Sequence, residues 1–322
     1  MTTGKLGQAL GRWGLSLGLL TLVWWWIEPE ALWPLLRSLS PGWVLLALMV
    51  TVAQVVLSAW RWRYTSSRLE LPLPLRVAVG EYYLATFLNQ VLPGGVAGDV
   101  NRAWRHGRAG QQALAAANAV LIERLSGQVV LILLSGALMF LLWPFDPNGL
   151  HAVGEGSGGG LVWWWLVPAL LALLAFVFRA PLLLYLRRLG KDLHRALLAW
   201  PAPAVQLTTS GLIVASYLAV FLALAAGLEN GPPSFSSADW LPLLPLCAAL
   251  LLAMALPVTI AGWGVREGVA ALLWPLAGLP AEQGVALGVA YGLLVLVSSL
   301  PGALMLLRRG PGRDQTAYPN QG

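Results

Sequence analysis

Charge is what this sequence has least of. Only 11% of its 322 residues are charged while 58% are hydrophobic, and the mean hydropathy is +0.71; an ordinary soluble domain carries roughly 25% charged residues. That scarcity excludes water as the main solvent. Apolar windows long enough to cross about 30 Å of hydrocarbon recur along the chain, and the short segments between them leave no room for an extramembrane catalytic domain. Cysteine is nearly absent too. The single Cys247 excludes an intrachain disulfide and reads as a small buried hydrophobe. Histidine occurs three times, as His106, His151 and His194, scattered through loops and surface segments. Without a positioned histidine or clustered acidic ligands, neither a metal site nor an acid–base centre is expected, and no cofactor is implied.

The apolar runs predict six full spans at about 10–27, 43–60, 112–142, 161–178, 205–227 and 282–307, each mostly apolar over seventeen or more residues. Two further apolar stretches, 79–98 and 241–279, are interrupted by Pro and Gly. Each piece of them is too short to span comfortably, and broken helices survive at membrane depth only where protein or a wet cavity satisfies the freed backbone. Both stretches therefore read as re-entrant helical hairpins that enter and leave on one side. The distribution of basic residues supports this arrangement. With both termini inside, seventeen of the twenty Lys and Arg residues fall on inner segments, whereas the outer loops 28–42, 143–160 and 228–240 hold Arg37 alone, as the positive-inside rule requires. The first apolar run ends in Trp24, Trp25 and Trp26 without a small-residue cleavage site, so it reads as a retained span. This triplet and Trp163–Trp165 read as interfacial anchors, and 151–160 as a flexible outer loop. The basic segments 61–76 and 179–195 read as surface helices on the inner leaflet, not as nucleic-acid sites.

The two interrupted stretches resemble each other. Residues Leu92–Arg102 align without gaps to Leu256–Arg266 in the pattern Leu-Pro-x-x-(Val/Ile)-Ala-Gly-x-x-x-Arg, and apolar bias does not freely supply Pro, Gly and Arg. Each half then contains three spans and one hairpin, entered from opposite sides. The predicted fold is an all-α integral membrane bundle, a single membrane domain over 1–322. Its halves, approximately 1–145 and 160–307, form an inverted-topology repeat, followed by a short cytoplasmic tail at 308–322. Such repeats place their substrate site at the repeat interface near the bilayer midplane.

Six charged residues, Asp99, Arg102, Glu123, Arg124, Arg266 and Glu267, occupy or border membrane-depth segments, where an ionised group costs about 2.5–3.5 kcal/mol on insertion scales. Structural ion pairing is one explanation. The other is a substrate site in which Arg102, Arg266 and Arg124 face one cavity and clamp a phosphate or other anionic headgroup, which a planar guanidinium binds bidentately. Gly94, Gly95 and Gly98 allow close backbone approach to a ligand, or simply turn the hairpin. Asn89 offers a neutral hydrogen-bonding group at the same depth, with hairpin capping as its alternative. Glu123 and Glu267 also have the chemistry of proton-coupling groups. Pro93, Pro257, Gly262 and Gly264 mark the breaks.

The run Asn89-Gln90-Val91-Leu92-Pro93-Gly94-Gly95, with Gly98, Asp99 and Arg102, then Glu123-Arg124 and Gly127, then Pro257, Gly262, Gly264, Arg266 and Glu267, resembles the lysylphosphatidylglycerol synthase transmembrane (flippase-like) family over nearly the whole chain. Ala97 stands where the family often has a further glycine. The resemblance implies a bacterial or archaeal multi-pass protein of the cytoplasmic or inner membrane. Such a protein would translocate an anionic phospholipid or a polyprenyl-phosphate-linked lipid and, lacking the larger synthases' aminoacyltransferase domain, would be a transporter and not an enzyme. A non-transporting partner subunit and an integral membrane lipid-phosphate enzyme are the competing expectations.

Overall fold

Prolines and glycines set the boundaries of an all-helical chain. The computed structural model describes residues 18, 21, 29–92, 95–110, 112–142, 189–228, 240–255 and 259–308. The predicted span at 10–27 apart from residues 18 and 21, the predicted span at 161–178, both Trp triplets, His151, Pro93, Gly94, Pro257 and the end of the tail lie outside this set. Among the described residues the helices are α1 (Pro29–Arg37), α2 (Pro41–Arg68), α3 (Leu75–Val91), α4 (Ala97–Ala109), α5 (Ala113–Leu142), a π-helical turn His194–Leu198, α6 (Ala202–Gly227), α7 (Leu243–Ala255), α8 (Val265–Leu276) and α9 (Ala281–Arg308), with no strand.

Helices α2, α5, α6 and α9 are long and apolar enough to cross a membrane. Their bounds follow local chemistry. Pro41 occupies the first turn of α2, where its missing N–H costs nothing and its fixed φ suits the helix. The chain turns where Gly95 (φ +59°), Gly262 (φ +79°) and Gly264 (φ +85°) take the left-handed conformation that glycine adopts without a Cβ penalty. Three details differ from the sequence reading. The span expected at 43–60 continues to Arg68, so 61–68 is no surface helix: Arg61, Thr65 and Ser66 are buried. The first hairpin begins at Leu75 and its second arm runs to Ala109, beyond the expected end at 98. The breaks also differ locally, because α4 starts at Ala97 whereas α8 starts at Val265, one helical turn later in the aligned pattern. Of the basic segment 179–195 the part from 189 is described, and Leu189 and Ala196 pack against Leu69, Leu71 and Ala116.

The order long, short, short, long recurs along the chain. Helices α2 to α5 have 28, 17, 13 and 30 residues, and α6 to α9 have 26, 13, 12 and 28. Each substantial contact among these eight helices has a counterpart when the halves are exchanged: α3 packs on α9 as α7 packs on α5, α4 on α5 as α8 on α9, and α2 on α6 maps onto itself. The α2–α6 pair is antiparallel over its full length. Ser40 N–H donates to the Gly227 carbonyl at 2.9 Å, Arg61 Nη1 to Ser210 Oγ at 2.7 Å, and Gln206 Nε2 to Thr65 Oγ1 at 2.8 Å. The main apolar core lies on the second-half side, where Phe221 stacks on Tyr291 with centroids 4.1 Å apart.

Candidate functional site

Five charged side chains form one alternating chain beside the α3–α4 break. Glu123 on α5 is shared: its Oε1 accepts from Arg61 Nη2 at 2.5 Å and its Oε2 from Arg102 Nη2 at 2.7 Å. Arg102, in the second turn of α4, also donates from Nε to Asp99 Oδ1 at 3.0 Å. Asp99 in turn pairs with Arg124, whose Nη2 donates to the Gly95 carbonyl at 3.0 Å. The sequence of charges is thus Arg61, Glu123, Arg102, Asp99, Arg124. Arg61, Arg102 and Glu123 are buried; the chain opens outward at Arg124, whose side chain is 36% exposed.

Helix geometry and aromatic packing hold this arrangement. The Arg102 guanidinium lies 4.8 Å from the Trp62 ring centroid and 4.7 Å from that of Tyr82, two cation–π contacts that suit the weakly hydrated guanidinium better than an ammonium. Asn89 on α3 bridges the break: its Oδ1 accepts from the Gly98 N–H at 2.8 Å and its Nδ2 donates to Asp99 Oδ2 at 3.2 Å. The Gly98 amide is therefore occupied by a side-chain cap. Gly98 itself sets the packing of the hairpin arms, since a Cβ there would run into the Ala85 carbonyl. Gly127 performs the same service for Arg61, whose guanidinium lies 3.0 Å from where a Cβ would stand.

The second break carries a smaller cluster. Arg266 donates from Nε and Nη2 to Glu267 Oε1 at 3.0 and 2.6 Å, and Glu267 Oε2 accepts from the Gly264 N–H at 2.7 Å, capping α8. The Arg266 guanidinium lies over the Trp263 and Tyr291 rings, 4.8 and 5.7 Å from their centroids. Arg102 and Arg266, aligned in the sequence pattern, thus share an environment of two aromatic rings and a buried carboxylate, each within its own half.

The structure therefore brings Asn89, Gly95, Gly98, Asp99, Arg102, Glu123 and Arg124 together at one break, and Gly262, Gly264, Arg266 and Glu267 at the other. A cavity of about 450 Å³ lies elsewhere, lined by Gln112–Ala115, Asn118, Lys191, Asp192 and Arg195; none of the six charged residues expected at membrane depth lines it. Sequence reasoning placed Arg61 in an inner surface segment and did not single out Trp62, Tyr82 or Gly127's steric role. A signal for Arg61 was present: Thr51, Gln54, Ser58, Arg61 and Thr65 recur at spacings of three and four, all are buried, and such a stripe marks one helix face. A further ion pair, Arg105 Nε to Glu81 Oε1 at 3.1 Å, also went unforeseen. Among the described residues no group of three or more His, Cys, Asp or Glu side chains is placed to hold a metal.

The description of the lysylphosphatidylglycerol synthase TM region matches residues 13–302, which contain both breaks and both charged clusters. The chain belongs to the lysylphosphatidylglycerol synthase transmembrane family. It is a multi-pass integral membrane protein, and the match is to the transmembrane region of the synthases, with no catalytic domain detected beside it. The family is linked to flippase-like translocation of lipids. No curated protein and no solved structure matches the chain.

Proposed function

We propose that this chain translocates lipids with anionic headgroups across a bacterial or archaeal cytoplasmic membrane, and that the headgroup meets the protein at the α3–α4 break. The observation that carries the reading is the alternating charge chain from Arg61 to Arg124, largely buried among apolar helices in a protein of a flippase-linked family. Ionised groups there are expensive and are retained where they handle polar cargo. Arg102 and Arg124 supply guanidinium donors to a phosphate-type headgroup, and Asn89 and Gly98 fix the backbone around them.

The inverted-topology repeat, with halves of approximately 1–145 and 160–307, is part of this reading. Exchange of the halves preserves the pattern of helix contacts, and it pairs α2 with α6, which runs antiparallel to it. A two-fold axis that reverses a spanning helix lies in the membrane plane, and that is the symmetry with which secondary transporters build alternating access. The Glu123 cluster sits about 15 Å from the start of α5, and Gly292, which seats Arg266, about 17 Å from the start of α9, at 1.5 Å per residue. The two clusters thus lie at similar depths from opposite faces.

The test is a proteoliposome assay in which headgroup-labelled anionic and zwitterionic lipids are scored for crossing by a membrane-impermeant quencher. Crossing of anionic lipids is expected to accelerate, and Arg102→Lys, which keeps the buried charges balanced while removing the planar fork, is expected to slow it about tenfold. Crossing no faster than in protein-free vesicles for every labelled lipid would reject translocation.

A further inference from the structure

The charge chain does not close on itself. Among the described residues, three guanidinium groups, Arg61, Arg102 and Arg124, share two carboxylates, Asp99 and Glu123. The cluster is left with one positive charge. Among the described residues Arg102 Nη1, buried in a side chain only 1% exposed, has no hydrogen-bond partner. Arg124 stands at the accessible end, and next to it Gly95 faces open space, with no atom within 4 Å of the position a Cβ would take. At the second break the count is different. Arg266 pairs with Glu267 one to one, both are buried, and that cluster is neutral.

We infer that the α3–α4 break is built for a headgroup bearing a single negative charge, a phosphodiester, and that the α7–α8 break is its electrically neutral counterpart without an anion site of its own. This rests on the reading of the first break as the headgroup contact. The reason is charge balance in a poorly solvated place. A monoanion brings the cluster to neutrality and supplies acceptors to the Arg124 guanidinium at its accessible end. A phosphomonoester or pyrophosphate leaves an uncompensated negative charge at depth, and a zwitterion brings a cation for which the cluster offers no free carboxylate. Asp99 and Glu123 are both already shared between two arginines.

The decisive experiment measures binding without transport. Short-chain phosphatidylcholine, phosphatidylglycerol and phosphatidic acid, with headgroup charges of 0, −1 and about −2 at pH 8, are titrated calorimetrically into the full chain in an uncharged detergent. Phosphatidylglycerol is expected to bind about tenfold more tightly than either of the others. Arg124→Gln should erase its advantage over phosphatidylcholine, and Arg124→Lys should restore it. The paired substitution R266Q/E267Q should leave the order of preference in place. Equal binding, no binding of any of the three, or tighter binding of phosphatidic acid overturns the inference, as does a preference that survives Arg124→Gln or is lost in R266Q/E267Q. A phosphatidylglycerol preference in a protein that moves no lipid in vesicles would sink translocation alone and leave the charge assignment standing.

Discussion

Replacing Glu123 by Gln removes one carboxylate from two arginines at once. Arg61 and Arg102 are both buried and both bonded to it, so the variant removes their shared counter-charge and leaves one amide oxygen where two carboxylate oxygens accepted, with an NH2 donor facing the other arginine. Breaking a buried pair from one side typically costs about 3–5 kcal/mol. A loss of that size is expected in the detergent-solubilised protein, read as a drop in its thermal midpoint, and the double variant E123Q/R61Q should recover part of it. Equal midpoints for wild type and E123Q would show that the pairing is energetically idle. Gly127→Ala tests the same contact from the other side: its added methyl meets the Arg61 guanidinium at 3.0 Å, near the end of a long side chain, so a smaller loss is expected, about 1 kcal/mol.

Among the helices, the close fit of α8 on α9 depends on a stripe of glycines. Gly284, Gly288 and Gly292 recur every fourth residue on α9 and face Trp274, Arg266 and Trp263 in turn, so one helix face is flattened to admit three large side chains. A methyl at Gly292 would overlap the Arg266 guanidinium and approach the Trp263 ring to 2.8 Å. Gly292→Ala is expected to destabilise the protein by about 1–3 kcal/mol through overpacking, and Gly136→Ala on α5, where a Cβ meets nothing within 4 Å, by far less. Thermal unfolding of the two variants side by side checks this; similar losses would remove the stripe as the cause.

For the whole molecule the proposed inverted repeat makes a sidedness prediction. Residues near the end of α2 and at the start of α6 lie at one end of the antiparallel pair, and Ser40 and Gly227 at the other. Ser67 is expected on the inner side, together with the basic cluster, and Gly278, in the turn between α8 and α9, on the outer side. Single cysteines at these positions in a Cys247→Ala background should react with an impermeant thiol reagent from opposite faces of intact cells and inverted vesicles. Labelling of both from one face would refute the inverted arrangement.

Much of this was legible in the residues. Composition and hydropathy marked the chain as a membrane protein, and four of the expected spans coincide with long apolar helices, because apolar windows and helical length are properties of contiguous sequence. Proline and glycine marked both breaks for the same reason. Asp99, Arg102, Glu123 and Arg124 could be recognised as anomalous from their depth alone. Partnership could not. Glu123 meets Arg61 across 62 positions and Arg61 meets Ser210 across 149, and the stripe that carries Arg61 inward looks in sequence like the basic end of a span. Only the tertiary structure decided that Arg102 and Arg266 each answer to a carboxylate in their own half and that one break keeps a surplus charge. Hydropathy and turn chemistry are summed over neighbours along the chain, whereas an ion pair is chosen by which helix faces meet.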